Sequence, residues 1–170
     1  MLIGDGTYCG TPVLTNCDED VINYVLQKYE CKDTAIPKPT KDGRTLRSLR
    51  IKGVVPELRK LKILGDSGVD KKLPEDIFSA TKQDCCEILA GLIDTDGNIN
   101  IRNSRGNRMP TVTISIATIS ITLAKGIRDL FQKLGIHASI QLKVRKPRDR
   151  KIKDKHNIYS IEVVDKNSLL

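Results

Sequence analysis

Apolar residues recur at helical spacing in two stretches of the second half of the chain. The first begins at Thr81, which an acid follows three residues later in the form of a capping box, and Gly97 is placed to end it. The second carries apolar residues at positions 121, 123, 124, 127, 130, 131 and 134 and stops at Gly135. The spacing therefore predicts one helix from about Thr81 to Asp96 and another that ends before Gly135.

Each predicted helix is followed by strictly alternating apolar and polar residues, the pattern of half-buried strands. Residues 98–102 and 111–116 predict a hairpin around a turn at 104–110, and residues 138–145 predict a strand that pairs with 157–164. The side chains expected on the core side of these strands are Ile99, Ile101, Val112, Ile114, Ile116, Ile140, Leu142 and Val144. Each hairpin is thus expected to have one apolar and one polar face.

The first half repeats this order in weaker form. A hairpin candidate (7–16), a helix from Asp18, an extended pair (34–39 and 44–55) and a helix (56–64) follow the first six residues. The segments LIGDG (2–6) and LIDTDG (92–97) share an Asp-Gly ending after apolar residues. Two copies of one unit predict a pseudo-twofold molecule, with halves at 1–79 and 80–170.

Two acids, Asp94 and Asp96, stand at the C-terminal end of the first predicted helix, where the helix dipole disfavours negative charge. The repeat aligns Asp96 with Asp5 but Asp94 with Ile3, so we interpret Asp94 as a solvated or capping acid. For Asp5 and Asp96, ordinary Asp-Gly turn chemistry is the alternative. If the two helices pack closely through Ala90 and Gly91, the paired carboxylates call for a divalent cation, and oxygen ligands favour Mg²⁺.

The net charge of the chain and its distribution indicate what kind of partner the protein binds. The 170 residues carry a net charge of +8, and residues 143–155 alone hold eight Lys or Arg with two Asp. Without an amphipathic helix in that segment, nucleic acid is a better partner than a membrane. The odd count of five cysteines, without CxxC spacing, argues against disulfides and zinc. With no signal peptide or apolar span, we expect a soluble, intracellular protein of the cytoplasm or nucleus.

The segment LAGLIDTDG (89–97) resembles the motif of the LAGLIDADG homing endonucleases, and IGDG (3–6) is similar to the end of a first copy as spelled in intein endonuclease domains. The resemblance implies an α+β fold of two αββαββα units, with two antiparallel saddle-like sheets and the motif helices packed at the centre. It also implies a monomer with internal pseudo-twofold symmetry. The implied activity is site-specific cleavage of both strands of DNA with Mg²⁺ or Mn²⁺.

The resemblance also implies a catalytic set. The last acid of each motif, here Asp5 and Asp96, would hold the divalent ions. Lys71, in KKLPEDIF, matches a lysine that precedes the second motif of intein-type members, and it could position water or stabilise transition-state charge. For Lys71 and its neighbour Lys72, a solvated charge is the alternative.

Alternation alone supplies candidates for DNA contacts on the sheet faces, although the same residues also suit an ordinary exposed face. Arg suits guanine edges, Asn and Gln suit adenine, and hydroxyl groups serve bases or phosphates. These candidates are Arg50, Lys52, Asn98, Asn100, Arg102, Thr111, Thr113, Ser115, Gln141, Lys143 and Arg145. Phosphate contacts are expected from Lys146, Arg148, Arg150, Lys151 and Lys153 in the basic turn.

The chain departs from the family pattern at both ends. Met1 falls at the fourth position of the first motif, and NSLL ends the chain where a closing helix is expected. Splicing signals are not found, so the sequence favours the endonuclease part of an intein-like protein. Two alternatives stay open, namely a non-cleaving nucleic-acid binder such as a maturase or transcription regulator, and an inactive fragment.

Overall fold

The structure, a computed structural model, describes residues 2–102, 111–143 and 156–165. The α-helices in this part are α1 (Leu2–Asp5), α2 (Glu19–Lys28), α3 (Val55–Lys60), α4 (Lys82–Asp96) and α5 (Ile121–Lys133), with a 3-10 helix at Glu75–Ser79. The strands are β1 (Gly6–Thr7), β2 (Val13–Asn16), β3 (Cys31–Asp33), β4 (Lys38–Pro39), β5 (Thr45–Ile51), β6 (Gly97–Arg102), β7 (Thr111–Thr118), β8 (Ser139–Lys143) and β9 (Ile158–Asp165).

The strands form two antiparallel sheets with matching topology. The first sheet has the order β1-β2-β5-β3, with β4 also pairing β5, and the second has the order β6-β7-β9-β8. In both sheets the strand that leaves a motif helix lies at one edge and pairs with the next strand along the chain. The α+β fold with two antiparallel sheets and a repeated order of elements agrees with the sequence prediction.

Helix α4 is the longest described helix, and it is capped as its sequence predicts. Thr81 Oγ1 accepts a 3.2 Å hydrogen bond from the Asp84 N–H, and the Asp84 carboxylate accepts a 3.1 Å bond from the Thr81 N–H. Reciprocal bonds of this kind satisfy N–H groups that have no partner within the helix, and they typically contribute about 1 kcal/mol. The predicted helix from about Thr81 to Asp96 is confirmed.

Each sheet has its own apolar core. Leu14 and Leu49 of the first sheet pack with residues from α2 and α3, whereas Ile116 and Ile161 of the second pack with α4 and α5. Gly126 on α5 lies against Leu73, where an added Cβ would be 3.1 Å from Leu73 Cδ1, so the segment that leads into α4 is held against α5.

Some predicted core positions are exposed. The alternation assigns faces correctly, because Ile99 pairs with Ile114 and Ile101 with Val112, but Ile99 and Ile101 are 55% and 61% exposed. Leu142 is likewise 55% exposed. Alternation fixes which face a side chain occupies, whereas burial also requires an element to cover that face. Val144 lies outside the described residues.

One strand of the first half begins earlier than predicted. The extended pair was expected at 34–39 and 44–55, but the strand beside the C-terminal end of β5 is Cys31–Asp33, and only Lys38–Pro39 pairs within the first expected segment. Ile36 is 87% exposed, so its apolar side chain is not a core signal. The chain between β3 and β4 thus runs outside the sheet.

None of the helices in the described ranges combines the length and the apolar character that crossing a lipid bilayer requires.

Candidate functional site

The two motif segments meet where α1 packs against the C-terminal turn of α4. A Cβ added to Gly4 would lie 2.8 Å from Asp96 Oδ2 and closer still to Thr95 Oγ1. Because glycine has no Cβ, α1 can pack here directly against the side chains of Thr95 and Asp96. Ala90 and Gly91, the small residues that the sequence offers for close packing, line a groove beside α2, and Gly91 also lines a groove with Leu2 of α1.

The Asp-Gly dipeptides have a shared structural cause. Gly6 and Gly97 each pass directly from a helix into a strand, and a Cβ on either would lie 2.8 Å from the carbonyl carbon of the residue four positions earlier, Leu2 or Ile93. The glycines therefore permit a sharp exit that leaves the preceding acid at the very end of each helix. This geometry puts Asp5 and Asp96 on opposite sides of the same interface.

Both acids are partly buried, and burial disfavours their charged forms. Burial and the nearby charge of Asp5 raise the pKa of Asp96 to about 6. Burial also raises the pKa of Asp5, although the charge of Lys71 and a hydrogen bond from Asn16 oppose that increase. Two ionised carboxylates in this position therefore require a positive group beside them.

Lys71 supplies one such positive charge. Its Nζ donates a hydrogen bond to the Gly4 carbonyl oxygen, at the end of α1, and lies 5.8 Å from the centre of the Tyr8 ring. Burial lowers the pKa of Lys71, while the charges of Asp96 and Asp5 oppose that decrease. The structure thus brings together three of the sequence candidates, Asp5, Asp96 and Lys71. Lys71 is partly buried and hydrogen-bonded, and it is not the solvated charge that was the alternative.

The backbone at Lys71 is anchored by the first turn of α5. The buried hydroxyl of Ser120 donates a 2.6 Å hydrogen bond to the Lys71 carbonyl oxygen and accepts a 3.2 Å bond from the Leu123 N–H. Ser120 therefore caps α5 and holds the segment that carries the lysine. Ser120 was not among the residues that the sequence pattern singled out.

Asn16 is a second residue that the sequence analysis missed. Its Nδ2 donates a 2.6 Å hydrogen bond to Asp5 Oδ2, and its Oδ1 accepts a 2.7 Å bond from the Asp18 N–H. In the structure Asn16 and Thr118 occupy equivalent positions, because Gly6 pairs with Leu14 as Gly97 pairs with Ile116. The sequence signal that could have identified Asn16 is a polar residue two positions before the N-cap of a helix. Both halves have one, at the last residue of β2 and of β7.

An open cavity of about 280 Å³ lies beside Asp96, and its lining includes Lys71, Gly68 and Thr118. Asp94 lies on another side of α4, where it lines the groove with Tyr24 and other α2 residues. The location of Asp94 away from the pair of Asp5 and Asp96 agrees with its interpretation as a solvated or capping acid.

The site offers few protein ligands to a metal ion. Across residues 2–102, 111–143 and 156–165 no group of three or more His, Cys, Asp or Glu side chains could hold one. Two carboxylates nevertheless fit Mg²⁺, which is usually bound through one or two carboxylates with water and substrate phosphate completing its shell. The donor set therefore suits an ion that is bound together with a phosphate-containing substrate.

The described DNA-contact candidates lie mainly on the polar face of the second sheet. Asn98 pairs with Ser115, Asn100 with Thr113 and Arg102 with Thr111, so all six share that face. Gln141 and Lys143 share it through β9, and both bond to Glu162, which sequence analysis did not single out. The candidates Arg145, Lys146, Arg148, Arg150, Lys151 and Lys153 lie outside the described residues.

Two candidates belong to the first half, Arg50 on β5 and Lys52 directly after it. Arg50 is exposed and pairs with Val13 and Lys32. Lys52 forms an ion pair with Glu30, and both side chains are largely exposed. An exposed pair of this kind contributes little to stability, so Lys52 can exchange Glu30 for another anion at small cost.

Comparison with known structures agrees with this architecture. A structure described as a mesophilic variant of the homing endonuclease I-DmoI aligns with a TM-score of 0.51 and 13% identity, over 95% of this chain and 83% of that one. A structure of I-DmoI in complex with DNA and Ca aligns with a TM-score of 0.50 and 14% identity, over 95% and 78%. At these identities the likeness concerns the fold. No curated protein matches the chain.

A family model described as a LAGLIDADG-like domain matches residues 85–170, which include α4 with its motif and the whole second sheet. That is half of the chain, and the other half repeats the same order of elements around Asp5. The chain belongs to the family of LAGLIDADG-like domains.

Proposed function

We propose that the protein is a site-specific DNA endonuclease that hydrolyses phosphodiester bonds with a divalent metal ion, Mg²⁺ or Mn²⁺. The observation that carries the proposal is the pairing of Asp5 and Asp96 across the α1–α4 interface with Lys71 beside both. Structural neighbours described as a homing endonuclease, one in complex with DNA and Ca, support it by analogy of fold. An intein origin is part of the same proposal and rests on the motif spelling.

Asp5 and Asp96 would hold the metal. A divalent ion held there would supply an activated water and would offset negative charge on the reacting phosphate. Burial makes both carboxylates poorly solvated, so they favour a cation more strongly than exposed acids do. The hydrogen bond from Asn16 fixes the orientation of Asp5 and leaves its other oxygen directed away from that bond.

Lys71 would assist the same reaction from the protein side. Its ammonium donates to the Gly4 carbonyl oxygen and lies close enough to both acids to respond to their charge. A donor in that position can stabilise negative charge on a phosphate oxygen or orient the attacking water. The polar faces of the two sheets would bind the DNA and carry its sequence preference.

The proposal is tested by incubating the protein with Mg²⁺ and a plasmid library and then sequencing any new ends. Discrete double-strand breaks that Asp96→Asn abolishes are the expected result. Asp94→Asn is the matched control, because Asp94 lies two residues away on the same helix but lines the α2 groove, and it should cut as the wild type does. Tight binding of DNA or RNA without cutting would instead favour a maturase or regulator.

A further inference from the structure

Tyr8 is fully buried beside the catalytic candidates, two residues after Gly6. Its side chain packs in the core of the first sheet with Leu14 and Leu49, and its exposed fraction is 0%. Lys71 Nζ lies over the same ring, 5.8 Å from its centre. The cavity beside Asp96 is lined by Lys71 but not by Tyr8, so the ring contacts the lysine from the protein side and does not touch a substrate in that cavity.

The chain that leads to Lys71 is tied to the backbone around Tyr8. The Tyr8 carbonyl oxygen accepts a 2.8 Å hydrogen bond from the Gly65 N–H, and Cys9 Sγ donates a 3.3 Å bond to the Asp66 carbonyl oxygen. Gly65 has a φ of 98°, which glycine adopts without strain. These two bonds fix the start of the short segment that carries the lysine.

The ring of Tyr8, and not its hydroxyl, contacts the ammonium. Tyr8 Oη has no hydrogen-bond partner among the residues that the structure describes. Burial raises the pKa of Tyr8, and the nearby charges of Asp66 and Cys9 raise it further. The hydroxyl therefore stays protonated near neutral pH, which excludes a phenolate as the partner of the lysine. A neutral aromatic ring attracts a cation through the negative charge of its faces.

The corresponding position of the second half carries no ring. The alignment of Asp5 with Asp96 matches Tyr8 with Ile99, which is aliphatic and 55% exposed. The repeated unit therefore does not require a buried aromatic residue at this position. The contact with Lys71 supplies a reason for the ring that packing within one repeat does not supply.

Lys71 lies near two carboxylates without forming an ion pair with either. The charges of Asp96 and Asp5 act on its pKa, yet in the part of the chain that the structure describes no ion pair joins it to them. Its ammonium instead donates to the Gly4 carbonyl oxygen and lies over the Tyr8 ring. Because water screens charge weakly in a partly buried site, the attraction of the acids must be balanced by such contacts.

We propose that Tyr8 is a positioning residue that keeps the Lys71 ammonium off the paired acids and so leaves their oxygens open to a divalent cation. The inference rests on the part of the proposed function that assigns Asp5 and Asp96 to the metal. An ammonium bonded to a carboxylate occupies an oxygen that the cation needs, and the two positive charges repel each other. Held on the ring, the lysine stays beside the acids as a separate positive charge.

The test measures Mg²⁺ binding without DNA, from thermal melts at pH 7.5 over a range of Mg²⁺ concentrations. Tyr8→Phe keeps the ring, and its dissociation constant should match that of the wild type within about twofold. Tyr8→Leu stays apolar but loses the ring, so the lysine pairs with an acid and the dissociation constant should increase by about fivefold. In a Lys71→Met background the competing ammonium is gone, and adding Tyr8→Leu should not change Mg²⁺ binding.

A matched control separates this role from packing. Leu49→Val disturbs the same core at another fully buried residue, and it should lower the melting temperature without changing the Mg²⁺ dissociation constant. If Tyr8→Leu does not fold, pentafluorophenylalanine at position 8 keeps a ring of similar size and reverses the charge of its faces. That variant should weaken Mg²⁺ binding, and binding equal to that of the wild type overturns the inference.

The remaining outcomes distinguish the inference from the endonuclease proposal. If Tyr8→Leu binds Mg²⁺ as the wild type does, or weakens binding equally in the Lys71→Met background, the ring does not hold the lysine and the inference is wrong. A wild type that Mg²⁺ does not stabilise also overturns it. If Tyr8 and Lys71 are coupled in Mg²⁺ binding but the wild type cuts no plasmid, the inference stands and the endonuclease proposal is wrong.

Discussion

Asn16 donates a 2.6 Å hydrogen bond to Asp5, and its side-chain oxygen accepts a 2.7 Å bond from the Asp18 N–H. One amide thus ties the acid of the first motif to the first turn of α2. The second half has Thr118 in the corresponding place, where Oγ1 accepts a 3.2 Å bond from the Ser120 N–H. Among the described residues no side chain donates a hydrogen bond to Asp96, so the two acids are in unequal environments.

Asn16→Ala is expected to raise the pKa of Asp5, because the hydrogen bond from Asn16 is one of the contacts that lower it. A higher pKa means that the carboxylate ionises, and can bind a cation, only at higher pH. The acidic limb of the pH–rate profile for DNA cleavage should therefore shift to higher pH. Asp18→Ala removes a neighbouring turn bond, the 3.0 Å bond from the Asp20 N–H, but keeps the bond from Asn16 to Asp5, and it should leave that limb in place.

The sequence predicted most of the fold because each element carries a local signal. Alternation, the capping box at Thr81 and the glycine after each acid define the strands, helix α4 and the turns between them. The partners of each acid could not be found in this way. Lys71 and Ser120 are 49 residues apart, and their hydrogen bond exists only because Leu73 packs on α5. The exposure of Ile99 likewise depends on what covers the sheet.

Gly4→Ala should destabilise the protein, because its Cβ would lie 2.8 Å from Asp96 Oδ2 and closer to Thr95. Forcing atoms into such a contact typically costs about 1–3 kcal/mol in free energy of unfolding. Gly10→Ala is the matched control, since its Cβ would have nothing within 4 Å. Urea denaturation of both variants measures the difference. Equal free energies of unfolding would show that α1 and α4 are not packed as closely as described.

The stability of the protein is expected to fall as pH rises through the range in which Asp96 ionises. Its pKa is about 6 in the folded protein against an ordinary value of 3.8, so the folded state holds the proton between these values. The free energy of unfolding should then decrease between about pH 4 and pH 6, by roughly 1–2 kcal/mol after solvent screening. Thermal melts should show this slope in the wild type and a weaker one in Asp96→Asn.

A divalent cation should reverse that loss. At pH 7.5 the ionised pair binds the cation only in the folded state, so above the dissociation constant Mg²⁺ should raise the melting temperature with the logarithm of its concentration. At pH 5, where Asp96 is largely protonated, the increase should be smaller. Asp94→Asn should respond as the wild type does. If Asp96→Asn were stabilised by Mg²⁺ as much as the wild type, the ion would be bound elsewhere.

Ser120→Ala tests whether α5 positions Lys71. The variant loses the cap of α5 and the 2.6 Å bond to the Lys71 carbonyl, whereas Asp18→Ala loses only the cap of α2, a 3.0 Å bond from the Asp20 N–H. Each lost cap should cost about 1 kcal/mol of stability. We expect only Ser120→Ala to lower kcat for cleavage, by about tenfold with KM nearly unchanged, since the lysine acts on the reaction and not on the bound ground state. Ser120→Thr keeps the hydroxyl and should recover most of that kcat, and equal kcat values for Ser120→Ala and Asp18→Ala would mean that Ser120 acts only as a cap.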